Sequence, residues 1–254
     1  MIPSPILKVF STLRAREVRC LLMGGQACVL YGAAEFSRDT DLAVLAEPDN
    51  LERFSDALRD LAASVIAVPP FEPGYLDRGH AVHFRCQADG AQGMRIDVMS
   101  RMRGVPEFPV LWERRNTFTL NGGDSGPVDV DVMALPDLVS AKKTRRDKDW
   151  PMIRRLVEAH YWTHQEQATS ARVEFWLREL RTAALLVDCV RAYPGLAARV
   201  GRDRSACALA LHEDVAGVEV ALGDEMESER SADRAYWKPL LKEIEGLRAD
   251  ARRS

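Results

Sequence analysis

Apolar residues at Ile6, Leu7, Phe10 and Leu13 follow the three-to-four spacing of a helix with one buried face, and this predicts a helix over residues 6–16. A short apolar run, residues 18–23, stops at Gly24-Gly25 and is followed by the helix-compatible QACVLYG, so the order reads strand, glycine turn, helix. Residues 39–46 (DTDLAVLA) form a second candidate strand. The amphipathic segment NLERFSDALRDLAA reads as a helix with Asn50 placed to cap it. Two further candidate strands, 81–86 and 94–99, flank the turn QADGAQG, and residues 110–133 read as irregular β structure around the Gly-rich turn NGGDSG, with the strand-like VDVDVM after it. From Leu135 the pattern turns helical. Pro136-Asp137 marks a helix start, and LVSAKKTRRDKDWPMIRRLVEAHYW reads as helix with a break at Trp150-Pro151, because a residue before proline resists the helical region. The remainder carries further helix signals, such as VEFWLRELRTAALLVDCVRAY and YWKPLLKEIEGLRADA. The pattern predicts a mixed α/β (α+β) protein: a sheet flanked by helices in residues 1–134, and an α-helical domain in residues 135–254.

Composition changes this picture little. At 254 residues the chain can bury a core without disulfides. Hydrophobic residues are 46% and charged residues 29%, and no apolar run is long enough to span a bilayer, so no membrane partner is expected. The opening MIPSPILKVF does not read as a signal peptide, and the expectation is a cytoplasmic protein. Cys20, Cys28, Cys86, Cys189 and Cys207 are odd in number and contain no CxxC pair, which argues against a disulfide scaffold or a zinc ribbon. The formal net charge of -3 excludes an overall basic nucleic-acid coat, while residues 142–155 leave room for a local basic patch.

Candidate chemistry lies mainly in three acids. Asp39 and Asp41 are two apart at a strand start, so their side chains leave the same face and can converge on a metal. Asp97 sits in the apolar run RIDVM, where burial of an acid is costly without a cation or a hydrogen-bond donor. Three hard oxygen donors without Cys or His partners suit Mg2+ or Mn2+, which are bound through carboxylates, water and substrate phosphates. The Gly24-Gly25 turn lets backbone approach a phosphate, and the helix after it offers amide groups. Lys142, Arg145 or Arg146, and Asp149 recur at one-face helical spacing, and Lys142 is the candidate triphosphate contact. His80 and His83 fall on opposite faces of a strand, while His160 and His164 lack a third ligand. All four read as structural or exposed. Phe175, Trp176, Tyr236 and Trp237 read as core anchors of the helical part.

Gly24-Gly25, a 13-residue spacer, Asp39-Thr40-Asp41 and a later Asp97 together resemble the nucleotidyltransferase superfamily typified by DNA polymerase beta. More narrowly, GGQACVLYGAAEFSRDTDLAVL followed by LPDLVSAKKTRRDKDWPMIRRL is similar to bacterial nucleotidyltransferases related to abortive-infection toxins (AbiEii-like), over roughly residues 15 to 160. The resemblance implies a nucleotidyltransferase-fold core with Asp39, Asp41 and Asp97 as catalytic metal ligands, Asp97 also serving the acceptor hydroxyl. It implies nucleotide contacts from Gly24, Gly25, Arg38, Lys142, Arg146 and Lys148. The cofactor would be Mg2+ or Mn2+ and the substrate a nucleoside triphosphate. The acceptor would be a tRNA or other RNA end, a small molecule or a protein hydroxyl, with a cognate antitoxin as partner. Two positions depart from the family pattern: Glu35 stands where many relatives have Arg, and Thr40 where they have a hydrophobic residue. Two other readings of the same residues are a catalytically inactive nucleotide-binding regulator and a phosphodiester hydrolase.

Overall fold

A computed structural model describes residues 4–34, 39–121 and 126–253. The chain is mixed α/β and forms two compact units. One comprises Met1–Leu30, Ala34–Ala141 and Tyr236–Ser254; the other comprises Tyr31–Ala33 and Lys142–Ala235.

The first unit is built on seven strands. In chain order its elements are α1 (Ser4–Ala15), β1 (Cys20–Met23), α2 (Gly24–Leu30), β2 (Thr40–Val44), α3 (Pro48–Asp60), β3 (Ser64–Val65), α4 (Pro73–Arg78), β4 (Val82–Arg85), β5 (Arg95–Met99), α5 (Phe108–Arg114), β6 (Asn116–Asn121), β7 (Pro127–Val132) and α6 (Leu135–Ala141). The sheet order is β3-β4-β5-β2-β1-β7-β6. The β2–β5 and β1–β7 pairs are parallel and the others antiparallel.

Strand alternation sorts the side chains. Val82, Phe84, Ile96, Val98, Leu42 and Val44 are all buried, and register places Val82 and Leu42 beside Val98, and Phe84 beside Ile96. Helix α3 covers this apolar face: Phe54, fully buried, meets Phe84 edge-on at 6.1 Å and Phe71 at 5.7 Å between ring centres. The residues between them, His83, Arg95, Asp97 and Asp41, are half-buried and share the opposite face.

Asn50 does not cap α3. The helix begins at Pro48 after Glu47, and Asn50 lies inside its first turn, 1% exposed. Its side chain accepts from the Arg19 amide at 2.7 Å and donates to the carbonyls of Arg19 and Leu45 at 3.0 and 2.8 Å, joining the start of β1 to the end of β2. Residues 108–114 are helical rather than irregular β structure; Pro109 near the helix start supplies a fixed φ where an amide is not needed.

The second unit contains α7 (Asp149–His164), a 3-10 turn (Gln165–Gln167), α8 (Ser170–Glu179), α9 (Ala183–Ala192), α10 (Pro194–Val200), α11 (Ser205–Ala210) and the Val215–Ala235 part of α12 (Val215–Ala251). Trp176, Leu186, Ile153 and Val200 are fully buried. Arg204 is buried with them because every contact is matched: Glu225 receives its Nε at 3.0 Å, and the carbonyls of Leu177 and Leu180 accept its Nη1 and Nη2 at 2.6 and 2.9 Å. The predicted helix break at Trp150-Pro151 is displaced. The interruption spans residues 142–148, and Pro151 sits in the first turn of α7, where its missing amide costs nothing. The five cysteines are free and mostly buried. Among the described residues, no helix is long and apolar enough to cross a membrane.

Candidate active site

Strand register assembles a row of side chains across four strands. His83 on β4 is paired with Asp97 on β5, Asp97 with Asp41 on β2, and Asp41 with Met23 on β1. Since paired residues in adjacent strands share a face, two of the three acids singled out in the sequence stand side by side on the half-exposed face. Asp39 is exposed and lies one residue before β2.

The turn that ends β1 closes on this row. Gly24 has φ +68, and a Cβ built there would fall 1.9 Å from Oδ2 of Asp41. Only glycine combines that left-handed backbone with so close an approach. The Gly25 amide points at the same carboxylate oxygen at 3.4 Å. The glycine turn therefore cradles Asp41 itself. Helix α2 spans seven residues, too short to be read as an anion-binding terminus.

Asp97 is held by two cationic or polar neighbours. Arg95, two residues earlier on the same strand, donates Nε–H to Oδ1 at 2.7 Å, and His83 Nδ1 lies 2.9 Å from the same oxygen. Nδ1 of His83 also lies 3.2 Å from Nη2 of Arg95, so the Nδ1–H tautomer serves Asp97 and the other accepts from Arg95. Burial pushes the Asp97 carboxyl up, but the hydrogen bonds and charges of His83 and Arg95 outweigh it and hold the group below the usual carboxylate range. Among the described residues, no group of three or more His, Cys, Asp or Glu side chains stands ready to hold a metal ion. A scan against protein-family models and a search of curated proteins each found no match to the chain.

The donor set nevertheless fits a hard divalent cation. Asp41 and Asp97 are oxygen donors in adjacent register positions, and both contacts to Asp97 fall on Oδ1, leaving Oδ2 outside them. These two carboxylates, with Asp39 beside them in sequence, are the residues that would hold the ion.

The basic candidates are placed differently. Lys142, 9% exposed, lies in the segment between α6 and α7 rather than on a continuous helix face, and its Nζ is 3.6 Å from Oδ1 of Asp149. Arg146 donates Nε–H to Oδ2 of Asp149 at 2.7 Å, and the Thr144 hydroxyl donates to the same oxygen at 2.6 Å. Lys148 is exposed immediately before α7. Arg38 lies outside the described residues. Two clefts of about 280 and 340 Å3 open elsewhere on the first unit, and neither is lined by the three acids.

Sequence reasoning missed His83 and Arg95. Alternation carries the signal: in VHFR and RIDVM the polar residues occupy every second position, which assigns His83, Arg95 and Asp97 to one face once the strands are known to be neighbours. That adjacency is not local information.

Proposed function

We propose that this chain has a nucleotidyltransferase-type core and is a divalent-metal-dependent nucleotidyltransferase, moving a nucleoside monophosphate from a nucleoside triphosphate to an acceptor hydroxyl. The observation that carries the reading is the register pairing of Asp41 with Asp97 on parallel strands, with Asp41 seated in the Gly24-Gly25 turn. Asp39, Asp41 and Asp97 would hold Mg2+ or Mn2+. Such an ion, when bound, activates the attacking oxygen and neutralises the departing pyrophosphate. The acceptor oxygen forms a bond to the α-phosphorus, the bond to the bridging oxygen breaks, and the hydroxyl proton passes to a carboxylate of the acid row. The glycine turn fixes the Asp41 carboxylate, and His83 orients that of Asp97, so both are positioned before substrate arrives.

The acceptor class follows from charge. Lys142 and Arg146 share Asp149, and Lys143 pairs with Glu179 at 2.8 Å. These ion pairs spend much of the positive charge of residues 142–155 internally, which favours a small-molecule or protein hydroxyl over an RNA end. A second reading, a nucleotide-binding regulator without turnover, is favoured by one observation: Arg95 already neutralises Asp97.

The test is incubation of the purified protein with each α-labelled triphosphate, Mg2+ or Mn2+, and a total cell extract, beside Asp41→Asn. The expected result is label on a discrete acceptor band, reduced roughly a hundredfold or more in the variant. No label from the native chain under any condition sinks the transferase reading, and label on RNA alone overturns the acceptor assignment.

A further inference from the structure

We infer that Arg95 is a resident counter-cation that competes with the divalent ion for the Asp97 carboxylate, so that the site loads metal only when the guanidinium gives way. The inference rests on the metal-dependent reading of this site and adds a regulator to it.

Its basis is the position of Arg95 in the acid row. Arg95 and Asp97 are two apart on β5 and so leave the sheet on one face, with Nε 2.7 Å from Oδ1. The hydrogen bond to Asp97 and the charges of Asp97, Asp39 and Asp41 outweigh the desolvation of Arg95, so the guanidinium sits in the combined field of all three acids. A dication on the remaining oxygen of Asp97 would stand beside this full positive charge in a half-buried site, where screening by water is incomplete. One arginine thus offsets one of the two or three negative charges that the carboxylates would otherwise present to a metal.

The arginine is also built to leave. Its side chain is 38% exposed against 16% for Asp97, so the head can swing into water without moving the strand. Arg85 stands directly opposite Arg95 in the β4–β5 ladder. Like charges in register disfavour a bond between these two positions, so the cross-strand contact left to Arg95 is the 3.2 Å approach of its Nη2 to His83 Nδ1. An ordinary surface ion pair would show neither the common field of three acids nor a like-charged partner opposite.

Competition predicts that apparent metal affinity is lowered by the fraction of molecules in which Arg95 holds Asp97. Binding of Mn2+ is read from the loss of the free-ion electron paramagnetic resonance signal, for the native chain, Arg95→Met, Arg95→Lys and Asp97→Asn, each checked for folding by circular dichroism. The expected result is roughly tenfold tighter Mn2+ binding by Arg95→Met, near-native binding by Arg95→Lys, and weakened binding by Asp97→Asn. Equal or weaker binding by a folded Arg95→Met, with Asp97→Asn still impaired, overturns the competition while leaving the metal site standing. No Mn2+ binding by any of the four overturns both the competition and the metal-dependent reading. If Arg95→Met fails to fold, the native chain decides: the Arg95 Nε–H nuclear magnetic resonance signal shifts on saturation with Mg2+ if the guanidinium is displaced, and an unmoved signal refutes displacement.

Discussion

Thr40 separates the two acids of the Asp-x-Asp motif, and its side chain points the other way, into the apolar face of the sheet beside Ile96. It is fully buried, and its hydroxyl has no hydrogen-bond partner among the described residues. An unmatched buried hydroxyl carries its desolvation cost without return. Thr40→Val, nearly the same shape, is therefore expected to stabilise the protein by about 1 kcal/mol, read as a higher urea midpoint at unchanged slope. A lower midpoint would mean that the hydroxyl is satisfied. Asp41, by contrast, is legible as a polar residue facing away from the core from its place in TDLAV alone, because strand alternation is a local rule. That Asp41 also rests against Gly24, 17 positions earlier in the chain, is not a local property.

At the scale of elements, the first turn of α3 does more than begin a helix. Asn50 binds backbone groups of Arg19 and Leu45, holding β1 and β2 in the register that presents Asp41 to the glycine turn. Asn50→Ala leaves the Arg19 amide and the Leu45 carbonyl unmatched, while the Arg19 carbonyl keeps the Leu45 amide at 3.2 Å, with an expected cost of about 1–3 kcal/mol by chemical denaturation. A loss below 0.5 kcal/mol would show that water replaces the side chain without penalty. The helical pattern of α3 was readable, since Leu51, Phe54, Ala57 and Leu58 recur on one face and are buried. The role of Asn50 was not, because a polar residue at a helix start has the same sequence signature whether it caps its own helix or reaches across to strands. The same limit explains the misplaced break before α7. Proline is read as a helix breaker, yet in the first turn it is a helix starter, and only the location of the true first turn tells these apart.

For the whole molecule, acid stability is set by groups that fold in one charge state. In the helical unit, the Trp176 indole N–H donates to Nδ1 of His160 at 2.9 Å, a contact that requires the unprotonated nitrogen. Burial, then the positive charges of His164 and Arg172, push the His160 imidazole down from 6.5 to about 4. Because the folded value is depressed, protonation favours unfolding: the contribution is fully present above pH 6.5 and declines as pH falls toward 4. His160→Asn retains an acceptor and cannot titrate, so its urea midpoint is expected to fall less steeply across that window than that of the native chain. Parallel profiles would show that His160 does not govern acid unfolding.

By itself the sequence determined the mixed α/β class, the helical character after Leu135, the glycine turn and the three acids, because each rests on spacing within a few residues. Only the tertiary structure decided which strands are neighbours. That adjacency set two of the three acids, Asp97 and Asp41, in a row between His83 and the glycine turn, and brought His83 to the Asp97 carboxylate that Arg95 also holds. The physical reason is that periodicity specifies the face a side chain occupies, while the charge standing opposite is chosen by the pairing of distant strands, for which a single sequence carries no local signal.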